Sequence, residues 1–447
     1  MKVTLLGCGA VGSVATMVLT NSDVFSKITL ADVNVSMANR IAQMCPIEVN
    51  IVECNANNES DIKKAIKDSD VVLNCVGPFY EFGPKIMKVV IEEGINYVDI
   101  CDDYDATVEQ LKMNDYAKDA GITALIGMGS SPGLANLLAK YAAENLLDEV
   151  ESIDIYHAHG GEAIEGAAVV KHRIHSMEMD IPMFLDGKFV TVRLFDRSGV
   201  ELEEDVEFPG IGTYRVYAYP HPETITLPKY IKGVKRVTNL GLVLPPEYAE
   251  LIKTIVRIGM TSKEPLKVGE IEIAPIDFAV AFILSKRDEL LKKAGLDQPV
   301  GCLKVSVKGK KDNKELKYSF SLSSKGVGMG EGTGIPAAIG TILMSTGKIK
   351  ERGVLPPEAC VNPLDALLLA RKILQRFGME DLPLIIELED ESGKRYFVAT
   401  TAKKNDSLKL YVNGVLEDSE SISGDWEDFT NDLVVGRPYS CLLYTSD

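Results

Sequence analysis

A glycine-rich turn directly after a short apolar run is the feature that most constrains the fold. Residues 2–6 read as a strand, and the residues that follow are Gly7-Cys8-Gly9-Ala10-Val11-Gly12. In a G-x-G-x-x-G turn the first glycine allows the tight bend, the second lets a ligand approach the backbone, and the third permits close packing of helix on strand. The pattern predicts a dinucleotide site, with Ala10 and Val11 supplying N–H groups at the helix start. A glycine turn without a ligand is the alternative.

Strand and helix signals alternate over residues 1–130. The predicted strands lie near 2–6, 28–31, 48–53, 71–75, 96–100 and 122–127. Such alternation is typical of a doubly wound parallel sheet, so we predict an α/β protein with an N-terminal Rossmann domain. Residues 335–377 read as further helices with a turn at Pro356-Pro357, and we assign them to the same domain.

The rest of the chain does not show this regular alternation of strands and helices. Residues 131–334 mix β-rich segments with helices, which predicts an inserted α+β domain for substrate binding and dimerisation. Residues 380–437 are acidic and strand-like and are interpreted as a small C-terminal region. The ending, residues 441–447, is typical of translated adapter sequence, and we expect it to be non-native.

Asp32 follows the second predicted strand, 20 residues after Gly12. An acid at this place accepts hydrogen bonds from the adenosine ribose and repels a 2′-phosphate. No Arg or Lys follows until Arg40, so the cation of an NADP site is missing from the adjacent turn. The sequence therefore predicts NAD as the cofactor and makes NADP less favoured. The alternative is that Asp32 caps the next helix.

The loops after the fourth, fifth and sixth strands are expected to line the nicotinamide, since ligands of such sheets lie beyond the carboxyl ends of the strands. The fourth-strand loop is expected to lay backbone and an aromatic ring against the cofactor through Val76, Gly77, Pro78 and Phe79. Asp102 and Asp103 follow the fifth strand, and crowded acids raise one another's pKa, which suits acid–base catalysis. Helix capping is the alternative for each acid. Ser131 begins a helix whose N–H groups form an anion site.

All five histidines fall in the second domain. His159 precedes Gly160-Gly161, which allow close approach of a ligand, so it is a candidate catalytic acid or base. An ordinary strand histidine is the alternative reading. His157-x-His159 and His172-x-x-His175 lack the accompanying acid of a recognised motif, so no metal site is predicted.

Charge and hydropathy restrict the partners. The 447 residues carry a net charge of −17, which would repel nucleic acid and anionic lipid. Apolar runs are short and a strand begins at residue 2, so we expect no membrane span, no signal peptide and a cytoplasmic protein. The eight cysteines lie far apart without a C-x-x-C pair, as reduced thiols do.

Several further motifs carry a family resemblance. They are Gly77-Pro78-Phe79, Tyr97-Val98-Asp99-Ile100, the run from Gly129 to Asn136, His221-Pro222-Glu223, and the run from Thr333 to Glu358. With Gly7 to Gly12, these residues resemble the saccharopine dehydrogenase family over roughly residues 1–375. This family includes the glutamate-forming saccharopine reductases and lysine 6-dehydrogenase-like enzymes.

The resemblance implies hydride transfer at a carbon–nitrogen bond of an amino acid or amine, commonly in a homodimer. It implies that Arg236 holds a substrate carboxylate, together with the N–H groups after Ser131. Asp102 and Asp103 would stabilise the cation and move protons, with His159 as a second acid–base group. Saccharopine reductases place an Asp where this chain has Ser131 and a Cys where it has His159, which separates it from saccharopine as the substrate. A lysine 6-dehydrogenase-like deaminase and a catalytically silent NAD-binding sensor or scaffold are the alternatives.

Overall fold

The structure is a computed structural model that describes residues 1–162, 165–326, 328–378, 384–402, 407–412 and 415–421. The helices are α1 (Ala10–Thr20), α2 (Val35–Met44), α3 (Glu59–Ile66), α4 (Phe79–Glu92), α5 (Tyr104–Leu111), α6 (Asn114–Asp119), α7 (Leu134–Tyr141), α8 (Ala167–Glu178), α9 (Arg197–Val200), α10 (Glu223–Tyr230), α11 (Pro246–Arg257), α12 (Pro275–Lys293), α13 (Met329–Ser345), α14 (Pro357–Cys360) and α15 (Pro363–Arg376). A π-helical turn, Ala142–Leu146, continues α7. The expected non-native segment 441–447 lies outside the described residues, as does 422–440.

The strands fall into two large sheets and one hairpin. They are β1 (Lys2–Leu6), β2 (Lys27–Asp32), β3 (Asn50–Glu53), β4 (Val71–Asn74), β5 (Asn96–Asp99), β6 (Thr123–Leu125), β7 (Glu149–Gly160), β8 (Ile181–Leu185), β9 (Lys188–Val192), β10 (Glu204–Phe208), β11 (Gly212–Ala218), β12 (Arg236–Leu244), β13 (Leu266–Val268), β14 (Ile271–Ile273), β15 (Val300–Lys311), β16 (Lys314–Lys325), β17 (Gly353–Leu355), β18 (Leu384–Asp390), β19 (Arg395–Ala402), β20 (Ser407–Val412) and β21 (Val415–Ser421).

The first sheet is parallel throughout and has the order β17-β6-β5-β4-β1-β2-β3. Strands β1 to β6 match the six predicted strands. Continuous apolar runs were a sound signal here, because such runs are typical of strands that are covered on both faces. Leu5 on β1 pairs with Leu30 on β2 and with Leu73 on β4, and all three side chains are fully buried. The order reverses between β1 and β4, which places a ligand crevice at the carboxyl ends of these strands. The predicted doubly wound α/β class is confirmed.

The seventh strand, β17, comes from late in the chain and pairs with β6. The sequence predicted only helices over 335–377. It did not predict β17, because a strand of three residues before two prolines is too short to show a periodic pattern. In the same segment α13 crosses α1 so closely that a Cβ on Gly334 would lie 2.7 Å from the Val11 carbonyl oxygen. Helix α13 therefore packs directly against one side of the first turn of α1.

The second large sheet runs β10-β11-β12-β7-β15-β16-β18-β19-β20-β21, with β8 and β9 attached beside β12. One face packs against α7, through a core that includes Leu138, Ile153 and Val305. Strands β18 to β21 lie in the acidic region that the sequence analysis set apart, and β18 pairs with β16 so that they extend this sheet. The sequence boundaries drawn between domains stay predictions.

No helix among the described residues is long and apolar enough to cross a membrane.

Candidate active site

The glycine turn between β1 and α1 has the backbone of a phosphate-binding loop. Gly7 has φ +92°, and a Cβ there would lie 2.8 Å from the Cys75 carbonyl carbon. A Cβ on Gly12 would clash with the Gly7 carbonyl oxygen, so α1 needs glycine to approach β1. Gly9 faces open space, since no atom lies within 4 Å of a Cβ built on it. The N–H groups at the start of α1 therefore face a bare cradle, which fits a dinucleotide diphosphate.

Asp32 is held at the edge of this cradle by two backbone donors. The Cys8 N–H donates to its Oδ2 at 2.6 Å, and the Asn34 N–H donates to its Oδ1 at 2.7 Å. Helix α2 is capped by Asn34, whose side chain accepts from the Met37 N–H, so Asp32 is not the helix cap. Each carboxylate oxygen keeps a further lone pair for a ribose hydroxyl. This geometry supports the predicted ribose contact.

The loop after β4 exposes backbone rather than the predicted ring. No atom lies within 4 Å of a Cβ built on Gly77, so the run Val76-Gly77-Pro78 is open to a ligand. Phe79, in contrast, is 4% exposed and packs on Cys101 and Ala106. The exposed ring of this loop is Tyr80, whose ring centroid lies 5.3 Å from that of His175 on α8. A cofactor contact of Phe79 stays a prediction.

Asp103 lies in the loop between β5 and α5, where it approaches α8. Its Oδ2 accepts from the Tyr80 N–H at 3.0 Å, and its Oδ1 lies 3.5 Å from Nδ1 of His172 on α8. It precedes α5 but makes no capping hydrogen bond, so the capping alternative does not describe its side chain. Burial and the neighbouring charge of Asp102 raise the pKa of Asp103 to about 6, while His172 acts in the opposite direction. Asp103 is therefore a carboxyl group that titrates close to neutral pH.

Ser131 joins a polar network that crosses from the first domain to the second. Its hydroxyl donates to Oε1 of Glu223, and the Asn239 amide lies 3.5 Å from the same hydroxyl. Glu223 is fully buried, and its Oε2 lies 3.3 Å from Nδ1 of His221. Burial lowers the pKa of His221, because it disfavours the charged ring. The carboxylates of Glu223, Asp102 and Asp103 together have the larger, opposite effect, so the pKa of His221 is raised. The charges of Asp102 and Asp103 in the β5 loop therefore act on His221 together with that of Glu223.

The predicted acid–base residue His159 has a different environment. Its ring stacks on His157 with centroids 5.9 Å apart, and His157 in turn bonds Asn239 at 3.1 Å. Burial and the charge of Arg173 lower the pKa of His159 to about 3, so its imidazole is neutral at physiological pH. Its catalytic role stays a prediction, but His221 has the electrostatic setting that the role requires.

Arg236 is not brought together with Ser131. Its Nε donates to Asp154 Oδ1 at 2.7 Å, and the same oxygen accepts from the Thr238 hydroxyl. Side chains alternate along a strand, so Arg236 and Thr238 share one face of β12 and Asn239 lies on the other. Because Asn239 is the residue that reaches Ser131, the guanidinium lies on the far face of the sheet. The expected pairing of Arg236 with the Ser131 loop is therefore corrected.

Two buried arginines lie elsewhere in the second sheet's layer of helices, and the charge of one of them acts on His159. Arg173 on α8 and Arg287 on α12 both pair with the buried Glu165 carboxylate, Arg287 at 3.1 Å. Arg287 also pairs with Asp288 at 3.2 Å, so two carboxylates stand against the two guanidinium groups. The charge of Arg173 acts on His159 and Tyr219. In the described part of the chain no group of three or more His, Cys, Asp or Glu residues is placed to hold a metal ion.

The carboxyl ends of the strands of the first sheet are thus followed by a dinucleotide cradle and by a carboxyl group with a pKa of about 6, and the polar network of Ser131 adds a histidine whose pKa is raised. Sequence reasoning missed His172, Glu223 and the role of His221. The short His221-Pro222-Glu223 motif was the available signal, but only the fold shows that it faces Ser131, 92 residues away from Glu223 in sequence.

Comparisons with known proteins agree with this arrangement. The family profile described as the saccharopine dehydrogenase NADP binding domain matches residues 3–125, and that of the saccharopine dehydrogenase C-terminal domain matches residues 129–380. The chain is 25% identical over 378 residues to carboxyaminopropylagmatine dehydrogenase from Synechocystis sp., which covers 80% of this chain and 92% of that protein. It is 26% identical over 401 residues to carboxynorspermidine synthase from Vibrio cholerae, covering 81% of this chain and 93% of that protein.

A solved structure shares the fold. Apo saccharopine dehydrogenase (L-Glu forming) from Saccharomyces cerevisiae superposes with a TM-score of 0.62 at 16% identity, over 87% of this chain and 99% of that chain. The C-terminal-domain profile alone spans more than half of the residues. The chain is therefore an NAD(P)-dependent oxidoreductase that acts on CH–NH groups, and it belongs to the saccharopine dehydrogenase family.

Proposed function

We propose that this enzyme transfers hydride at the C–N bond between an amine and a carboxyl-bearing alkyl group, and that it prefers NAD(H). One observation supports the proposal: the Ser131–Glu223–His221 network and the Asp103–His172 pair both follow the carboxyl ends of strands of the first sheet, and the charges of Asp102 and Asp103 act on His221. Carboxylates and a histidine can supply and take up the protons that making or breaking a C–N bond involves.

In the reductive direction an uncharged amine attacks an aldehyde carbon, water leaves, and the protonated imine accepts a hydride. A bound nicotinamide dinucleotide supplies that hydride. His221, whose pKa is raised by its contact with Glu223, donates the proton that the departing water needs. Asp103, ionised above a pKa of about 6, stabilises the positive nitrogen, and Asp102 adds a second negative charge. Nitrogen itself carries the positive charge, so these steps call for no metal.

The substrate class follows from the relatives and the charges of the cleft. The two relatives named above are called after agmatine and norspermidine bearing a carboxyl-containing group. Agmatine and norspermidine are cationic amines, and Asp102 and Asp103 would attract such a cation. These names favour polyamine-type substrates over the lysine-type substrates that the family resemblance implies. A lysine 6-dehydrogenase-like deamination, a homodimer and a cytoplasmic location stay predictions.

The carboxyl group of the substrate needs a cation. The resemblance assigned it to Arg236, which is committed to Asp154. Arg173, whose charge acts on His159, is the alternative anchor. The expected anion site after Ser131 is not available, because the N–H groups of Gly133, Leu134 and Ala135 donate to Asn136 Oδ1 and to the Gly129 and Ser130 carbonyl oxygens.

Reductive turnover with a panel of substrates tests the proposal. The purified protein is mixed with NADH or NADPH, an amino-acid semialdehyde and either a diamine, a polyamine or lysine, and nucleotide oxidation and the secondary-amine product are measured. We expect the highest kcat/KM with a diamine or polyamine, and we expect oxidation of that product in reverse. Turnover with lysine alone as the amine, or only oxidative deamination of a single amine, would overturn the proposed substrate class.

His221→Asn provides the matched test of the site, because asparagine keeps polarity without a titrating ring. We expect kcat to fall by at least about 100-fold, as for loss of a general acid, while NADH still binds. A fully active variant would remove His221 from the mechanism.

A further inference from the structure

A line of buried polar side chains extends from His221 away from the cleft. Glu223 and Thr226 lie one turn apart on the same face of α10, and Glu358 on α14 follows them. Glu223, Thr226 and Glu358 are at most 3% exposed. The line leads from the proposed reaction site into the protein interior.

Specific contacts hold the two ends of this line. The Asn136 amide donates to Glu358 Oε2 at 2.8 Å, and Asn136 Oδ1 accepts from the Gly133 N–H at 2.9 Å. Glu223 accepts the Ser131 hydroxyl with Oε1. The loop that carries Ser131 and Gly133 is thereby tied to both carboxyl groups.

The inner atoms of the line lack fixed hydrogen-bond partners. Among the described residues, Glu223 Oε2 and Glu358 Oε1 are buried and accept no hydrogen bond, and Glu223 Oε2 has only the 3.3 Å ion-pair contact with His221. The Thr226 hydroxyl faces Glu358 without meeting hydrogen-bond geometry. Leaving a buried polar group without a partner is unfavourable, so a cluster of such groups marks a functional arrangement or a place for exchangeable protons or water.

We propose that Glu358 is a proton reservoir that resupplies His221 through Thr226 and Glu223. His221 Nε2 gives up its proton to the departing water, which leaves a neutral ring with its remaining proton on Nδ1. The ring then turns over, so that the bare nitrogen faces Glu223 and takes up the proton that Glu358 passes on by way of the Thr226 hydroxyl and Glu223. One proton therefore leaves Glu358 for each proton used at the reaction site. Glu358 regains its proton from solvent on the side where Tyr230, 41% exposed, reaches the surface. The proposal rests on the proposed function for its direction.

The charges around Glu358 are consistent with this role. Burial, with a smaller contribution from the charge of Glu223, raises the pKa of Glu358 to about 7, although Thr226 and Asn136 act in the opposite direction. The other titratable groups that act near it are Tyr230 on α10, Cys360 on its own helix and Lys140 on α7. Burial raises the pKa of both Tyr230 and Cys360, so neither competes for the proton near neutral pH.

Glu358→Gln tests the reservoir, because glutamine can still accept the Asn136 hydrogen bond but holds no exchangeable acid. We expect kcat to fall by about tenfold or more with KM unchanged, the pH limb near 7 to disappear, and the solvent deuterium isotope effect on kcat to grow. Glu358→Asp, which keeps an acid, should recover part of the rate and the pH limb. The exposed Glu351→Gln is the matched control, since Glu351 lies near Cys360 but outside this line.

Infrared difference spectroscopy separates this proposal from the proposed function, because it needs no turnover. We expect the band of a protonated carboxyl group that titrates near pH 7 in the unmodified enzyme and in Glu351→Gln but not in Glu358→Gln. A wild-type rate and pH profile in Glu358→Gln, or a band that persists in it, would overturn the reservoir. An inactive enzyme with the expected band would instead refute the substrate assignment alone.

Discussion

Asp32 gives the sharpest test of the cofactor assignment. Its carboxylate is fixed by the Cys8 and Asn34 N–H groups at 2.6 and 2.7 Å, so it cannot turn away from a ligand without losing two hydrogen bonds. NADPH would place a 2′-phosphate against this charge, whereas the NADH ribose offers hydroxyl donors. We therefore expect NADH to bind more tightly than NADPH.

The magnitude follows from the geometry. Two like charges about 4 Å apart repel by about 4 kcal/mol at an effective dielectric of about 20 and by about 1 kcal/mol in water. Asp32 is half-buried, so its interaction falls between these limits. A difference of about 1.4 kcal/mol corresponds to a tenfold ratio of Kd, and we expect at least that ratio in favour of NADH.

Fluorescence titration of the purified protein with both nucleotides measures the ratio directly. In Asp32→Ala we expect NADH to bind more weakly and the ratio to fall below about threefold. Asp61→Asn is the control, because Asp61 also accepts a backbone N–H, at 3.2 Å, but lies on α3. Equal or reversed affinities in the unmodified protein would refute the role given to Asp32.

Three further predictions concern the cleft. Because Asp103 is neutral below its pKa of about 6, KM for a cationic amine should rise as pH falls through 6, and a pH titration of Asp103→Asn should lack this rise. Arg236→Lys should change kcat/KM by less than about threefold, whereas Arg173→Lys should lower kcat/KM by about tenfold or more. Thermal melting checks that both variants fold. The opposite ranking of the two variants would restore Arg236 as the carboxylate anchor. Turnover should survive exhaustive EDTA treatment, and a loss that zinc specifically restores would contradict the metal-free chemistry.

The local backbone structure of the N-terminal strands and loops could be predicted from the sequence. The glycine spacing, the apolar runs and the position of Asp32 specify backbone conformation and burial over a few residues, and the strands from β1 to β6 lie where the patterns predicted them. The crevice at the carboxyl ends of these strands follows from the right-handed crossovers that such alternation requires. Asp103 was predicted from its loop, although its partner His172 was not.

The contacts that give these residues their chemistry depend on tertiary packing. Glu223 acts on His221 locally, but its link to Ser131 exists only because α7 packs against the second sheet. Arg236 is a plausible anchor in sequence, yet the register of β12 against β7 turns it toward Asp154. Strand alternation fixes which residues share a face, but the sequence alone does not say which face meets the first domain. For that reason the sequence determined the fold class and the glycine turn, while the tertiary structure decided which acids, histidines and cations contact one another.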